Sequence, residues 1–367
     1  MNSSYGFYFA LIGSMALIAI IFSSRFFSFI DQNNRPERDN HLDGLRFLLA
    51  SFVIFHHMDF YYNLFNNGHW ASHSLGIIYL GRSGVALFFM ITAYLFWGKI
   101  KNKDYVNWLE LYKNRFFRIA PLSFFVSTLA IVIILIKTKW DLTVPLTTQS
   151  IASWFDAGLF DRKMPINGFN ESRLVIAGVT WTLRWEWLYY MALPALFLLR
   201  KSGMALSMSL FFGSIFILRE FFDNYHLWSY FFAGMLASDI KDSINAKKLV
   251  LWPYFFSALA ILYLITPSPN TQAFIIILSA VFITICLGFD GFGLFNTRGF
   301  IRLGHISYSL YLNQGIILYP FFYFLHGKIS ALTLYPLFFL SFLAISIFSS
   351  ITYRFIEIPF INLGRRI

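Results

Sequence analysis

Apolar runs near the length of a membrane crossing follow one another through this 367-residue chain, and that succession restricts its fold more than any other feature. A helix that spans a bilayer needs about 20 predominantly apolar residues. Eleven segments come near that length, at about 5–24, 44–65, 76–98, 116–136, 174–199, 203–218, 226–240, 249–266, 272–289, 303–325 and 330–351. With 57% of residues hydrophobic and 13% charged, a water-soluble fold of this size would lack the polar surface to cover itself. The expected class is all-α: a polytopic integral membrane protein of about 11 transmembrane helices. Aromatic residues at 21% suit lipid-facing helices and the interfacial belt.

A formal charge of +11 would suit nucleic acid if it formed one basic face. Instead the Lys and Arg lie almost wholly between apolar runs, the pattern of a topology signal, and no nucleic-acid partner is expected. Counted from Arg35 onward, alternate loops hold 18 of them against 7 on the opposite side. The excess puts the C-terminus in the cytoplasm. The first segment has no Lys or Arg before it, so it reads as an uncleaved span with its N-terminus outside. The long outer segment 137–173 carries Trp140, Trp154 and Phe155 among polar residues; it lies on the membrane surface, caps a cavity or simply connects. The single cysteine, Cys286, sits in the apolar run Ala273–Phe289, which excludes an intramolecular disulfide and a Cys-based zinc site, and no metal is expected.

Ionisable residues at membrane depth are costly and mark function unless they are paired structurally. The second segment is richest, with Asp43, Arg46, His56, His57 and Asp59. Arg46 and His57 are eleven positions apart, about three helical turns plus 20°, so they share a face about 16 Å apart, with Asp43 near the same stripe. Arg46 then sits at the cytoplasmic edge and His57 deeper, toward the outside. Arg46 either snorkels to lipid phosphate or serves a site, and His57 either bonds a neighbouring helix or exchanges protons. The fifth segment brings Glu186 near the membrane middle, either in a structural ion pair or as the carboxylate that orients or charges His57. Arg115 and Arg118, three residues apart, present two guanidinium groups on one helix face to phosphate, of a lipid or of a phosphate-rich ligand.

The sequence resembles the bacterial membrane acyltransferase family three, the envelope-glycan O-acetyltransferases. His41-Leu42-Asp43-Gly44-Leu45-Arg46 with His57 matches the family's Arg, ten residues, His motif, and Gly81–Leu95 is similar to its glycine-rich third-span block. Arg115 and Arg118 match its Arg-x-x-Arg element, and Trp181-Thr182-Leu183 with Glu186 and Tyr189-Tyr190 its fifth block. Leu303–Leu312 and Tyr353–Pro359, which include Tyr308, Tyr311 and Glu357, are similar to its last two. Ala86 stands where an acidic or amide residue is frequent, Thr92-Ala93 where Ser-Gly is, and Asn313-Gln314 where a His is common.

The resemblance implies residues 1–40 as an extra N-terminal transmembrane helix and cytoplasmic linker, and 41–367 as the acyltransferase domain. It implies a multi-pass protein of the bacterial inner membrane that moves acetyl from cytoplasmic acetyl-CoA to a hydroxyl of an extracytoplasmic glycan, free or lipid-linked: O-antigen, capsule or a related polysaccharide. His57 would be the catalytic base or transient acetyl carrier, Glu186 its partner and Arg46 a further catalytic residue, with Arg115, Arg118 and again Arg46 the holders of the CoA phosphates. Asp43, Trp181, Tyr308, Tyr311 and Glu357 would support the acceptor or the structure. A proton-coupled transporter also needs intramembrane Arg, His and Glu, and a non-catalytic subunit of a glycan-assembly complex needs only their packing. The oligomeric state has no signature in the sequence.

Overall fold

A chain in hydrocarbon must satisfy its backbone groups within its own segments, which favours helix. The computed structural model describes residues 4–33, 40–140, 146–160, 162–218, 227–244, 251–265, 268, 271–328 and 331–366. Among these residues no β-strand forms, and Ile166 and Phe169 make an isolated bridge. Besides the single helical turn Thr148–Ala152, the helices are α1 (Ser4–Phe22), α2 (Asn40–Asn67), α3 (Leu75–Ile100), α4 (Trp108–Lys137), α5 (Trp181–Leu198), α6 (Gly203–Gly213), α7 (Trp228–Ser243), α8 (Trp252–Ile265), α9 (Gln272–Cys286), α10 (Arg298–His305), α11 (Ser307–Leu325), α12 (Ala331–Thr352) and α13 (Ile358–Arg366). Each of the eleven apolar segments therefore contains a helix. Positions 34–39 of the expected linker, with Arg35 and Arg38, lie outside the described residues, as do Arg219, Lys247 and Lys248.

Several boundaries differ from expectation, and the fourth helix begins at Trp108 rather than at 116. The fifth helix begins at Trp181 rather than at 174, because Ala177 (φ 54°) and Gly178 (φ 62°) take left-handed conformations that end the short 3-10 turn Ser172–Ile176. The tenth segment is two helices broken at Ile306 (φ −94°, ψ 12°), and α12 runs on through a π-turn, Tyr353–Glu357, into α13. Among the described residues three helical stretches, Leu75–Ile100, Trp108–Lys137 and Thr333–Arg366, have the length and hydropathy of a span. The number is five if the bent pairs Gly6–Phe22 with Arg25–Asp31 and Trp181–Leu198 with Arg200–Ile217 each count as one. Helix α2 has 28 residues, about 42 Å, but its Asp, Arg and His residues lower its hydropathy.

Contacts divide the chain into two compact units. The first comprises Met1–Ile77, Leu109–Arg184 and Thr297–Ile367. Its core is an aromatic seam in which Phe55 of α2 meets Phe7 of α1 at 5.7 Å and Phe342 of α12 at 5.6 Å, edge to face, the favoured geometry for the ring quadrupoles. Glycines let backbones touch: a Cβ at Gly299 would lie 2.0 Å from the Ala19 carbonyl oxygen, so α10 packs directly on α1. The fully buried Arg302 side chain grips Asp31 with two nitrogens (2.9 and 2.7 Å) and donates to the carbonyls of Phe22 (2.8 Å) and Ser24 (2.6 Å), which caps the end of α1.

The segment after α4 is packed rather than a bare connector. Trp154 is completely buried, its indole donates to the Met164 carbonyl (2.9 Å), and Ser127 of α4 donates to the Trp154 carbonyl (2.6 Å). Trp140 is exposed.

The second unit comprises Ile78–Trp108 and Trp185–Asn296. Here Gly234 of α7 abuts α3, a Cβ at that position lying 2.2 Å from the Met90 carbonyl oxygen. Asp239 accepts from Trp97 (3.0 Å), Lys101 (2.8 Å) and Ser207 (2.6 Å), so this buried carboxylate is paired and hydrogen-bonded, as burial requires. Cys286, at the end of α9, is buried.

Candidate active site

Helix α2 is unbroken from Asn40 to Asn67, so the eleven-residue spacing keeps Arg46 and His57 on one face, about 16 Å apart along the axis. The imidazole of His57 is half-buried, and its Nδ1 lies 2.9 Å from Oε1 of Gln314 in α11. Gln314 is fully buried, and its Nε2 donates to the Tyr311 carbonyl at 2.7 Å. Trp70 stands nearly parallel to the His57 ring (centroids 6.1 Å, 24°), and His56 meets it edge-on at 5.1 Å. Nδ1 of His56 faces the Ile77 carbonyl at 3.0 Å. The two adjacent histidines differ in their reach: Nδ1 of His56 faces a backbone carbonyl, whereas His57 meets the Gln314 side chain as well as the backbone of Val53 one turn before it.

The Asn40 end of the same helix holds a second polar group. Asp43, buried, lies 3.0 Å from Nη1 of Arg46 through one oxygen and 3.5 Å from Nε2 of His305 through the other. The approach depends on Gly304, where a Cβ would sit 1.8 Å from the Asp43 carbonyl oxygen, so the backbones of α2 and α10 are in contact there. The Arg46 side chain keeps 23% of its surface exposed, so Asp43 orients it without enclosing it.

In α4, ten residues after its start at Trp108, Arg118 lies 3.7 Å from Glu357 and 5.9 Å above the Tyr308 ring. Its side chain is 28% exposed, whereas Glu357 is completely buried. The π-turn that ends α12 carries Glu357, which also accepts from Ser309, while Tyr308 donates to the Ile119 carbonyl at 2.8 Å. π-turns inside helices recur at functional positions. Arg115 is half-buried one turn before Arg118.

Tyr311 donates to the Val179 carbonyl (3.2 Å) and meets the Thr182 hydroxyl at 3.0 Å, which fixes α11 to the first turn of α5. Trp181 is half-buried at the head of that helix. Glu186 belongs to the second unit, where it accepts from Tyr190 at 3.1 Å. The side chain that meets Nδ1 of His57 is an amide, Gln314. His305 and Gln314 were legible only as parts of a longer motif or as a departure from it. Arg302 and Asp239 carried no signal beyond being charged residues at the edges of apolar runs.

A family model described as an acyltransferase domain matches residues 39–354. The chain belongs to membrane acyltransferase family three. No curated protein and no solved structure matches it. The family and the apolar helices make this acyltransferase a multi-pass membrane protein. The matched interval contains every site residue described above except Glu357, which lies three residues beyond it.

Proposed function

We propose that this acyltransferase is an O-acetyltransferase of the bacterial inner membrane, with about eleven spans, its N-terminus outside and its C-terminus in the cytoplasm. It takes acetyl from cytoplasmic acetyl-CoA and passes it to a hydroxyl of an extracytoplasmic glycan. The observation that supports this reading most is the polar face of α2, which carries a partly exposed Arg46 at the cytoplasmic end and His57 about three turns farther in. A donor with phosphates at one end and a thioester at the other suits that spacing. Arg46, Arg115 and Arg118 bind the phosphates, since guanidinium groups match phosphate geometry. His57 deprotonates the acceptor hydroxyl as general base. Asp43 and Glu357 aim Arg46 and Arg118, and Glu186 of the second unit is a group whose replacement by Gln lowers transfer.

Incubation of the purified protein with radiolabelled acetyl-CoA and candidate glycans tests this. His57→Ala lowers transfer by about 10²–10⁴-fold, the usual contribution of a positioned acid or base. Arg115→Ala with Arg118→Ala raises KM for acetyl-CoA with a smaller effect on kcat, as expected for groups that bind ground and transition state alike. Full transfer by a stably inserted His57→Ala protein would refute the chemistry. Substrate flux without acyl transfer would identify a transporter instead.

A further inference from the structure

Which nitrogen of His57 carries the proton decides which one can act as base, and the surroundings of Gln314 answer it. The Tyr311 carbonyl can only accept a hydrogen bond. The atom of Gln314 that lies 2.7 Å from it is therefore the NH2 group, and the amide oxygen must be the atom turned toward His57, 2.9 Å from Nδ1. An amide oxygen is likewise only an acceptor, so Nδ1 must be the protonated nitrogen. Neutral imidazole carries one N–H, which leaves Nε2 bare. The orientation of Gln314 is over-determined because α11, on which it sits, is itself fixed: a Cβ at Gly315 would lie 2.4 Å from the Ile176 carbonyl carbon, and Tyr311 is bonded to Val179 and Thr182.

We infer that Gln314 is a positioning residue that holds His57 in the Nδ1–H tautomer, so that Nε2 alone exchanges protons. This rests on the reading of His57 as the base, and it adds a constraint on the route of the proton. An amide oxygen does not take up a proton near neutrality, so Gln314 cannot pass one onward from Nδ1. In the transfer step the acceptor oxygen bonds to the acetyl carbon, its proton goes to Nε2, and the carbon–sulfur bond breaks with its electron pair on the CoA sulfur. The proton on Nε2 then goes to that thiolate from the same ring edge. The products are the acetyl ester and the CoA thiol, with His57 returned to its starting tautomer.

The test uses the whole protein in detergent micelles, labelled with 15N-histidine, the His57 signals being those lost in His57→Gln. The expected spectrum at neutral pH shows Nδ1 protonated and Nε2 bare. An Nε2–H tautomer would overturn the inference whatever the activity. Gln314→Met keeps side-chain length but removes both bonds, and is expected to lower kcat about 10- to 100-fold, less than loss of the base itself, with KM for acetyl-CoA unchanged. Gln314→Glu, protonated at the buried position, donates to the Tyr311 carbonyl and accepts from Nδ1–H; it is expected to restore kcat to within about fivefold of the native rate and to restore the native tautomer. A folded Gln314→Met protein with native kcat would also overturn the inference. Nδ1–H in the spectrum together with full transfer by His57→Ala would leave the tautomer assignment standing and refute the catalytic reading instead.

Discussion

Arg46 and His57 share a face because α2 is unbroken between them and the phase of a helix is a local property. Their partners were not legible, since Gln314 is 257 residues from His57 and reaches it only through packing of α11 on α2. The same holds for His305 and Asp43, whose meeting depends on a glycine. With the Asp43 carbonyl oxygen 1.8 Å from where a Cβ would stand, Gly304→Ala must push two backbones apart, and neither is a flexible side chain that can yield. The expected cost is about 3 kcal/mol, the upper end for overpacking. It would appear as a lower thermal midpoint in detergent. An unchanged midpoint would mean that α2 and α10 are not in backbone contact.

Individual helices were readable from apolar length, and each expected segment does contain one. What could not be read were the interruptions. Ala177 takes a left-handed conformation because Ile176 and Ala177 lie against Gly315, a constraint from a distant helix and not from local propensity. The packed segment between α4 and α5 was equally hidden, since among the described residues its order comes from a buried tryptophan and the ion pair of Asp156 with Lys163 at 2.7 Å. Burial alone would raise the Asp156 carboxyl, but Lys163 and the backbone N–H groups of Gly158 and Phe160 outweigh it and hold the carboxyl below its ordinary range. A carboxyl depressed in the folded state stabilises above its unfolded pKa, about 3.9, and that stabilisation fades as pH falls through the lower folded value. Cleavage between residues 146 and 176 by an acid-active protease is therefore expected to rise steeply below about pH 4. In Asp156→Asn, cleavage at neutral pH should already exceed that of the native protein. A flat cleavage profile in the native protein would count against the ion pair as the fastening.

At the scale of the molecule, hydrophobicity announced a membrane protein and loop charge a direction, but neither indicated two compact units or which helices each contains. That division follows from pairings such as Gly234 with Met90 and Gly299 with Ala19, set by close backbone approach between helices far apart in sequence. Helix α1 is joined to its unit by Arg302, a completely buried cation that holds one carboxylate and two carbonyls. Removing one partner of a buried pair typically costs about 3–5 kcal/mol. Because Asp31 is one-third exposed and regains water, Arg302→Met is expected near the lower end. The loss should appear as protease access to residues 22–31 before the remainder of the first unit melts; simultaneous loss would show that α1 is part of its cooperative core.

The burial of the lone cysteine has a practical side. With Cys286 at the end of α9 and 1% exposed, the native protein offers almost no background to a membrane-impermeant thiol reagent. Any cysteine introduced at a loop, at Lys328 on the side assigned as outer or at Arg365 on the side assigned as cytoplasmic, then reports by its own reactivity which solution bathes it. The chain comes supplied with the silent background that topology mapping ordinarily has to build.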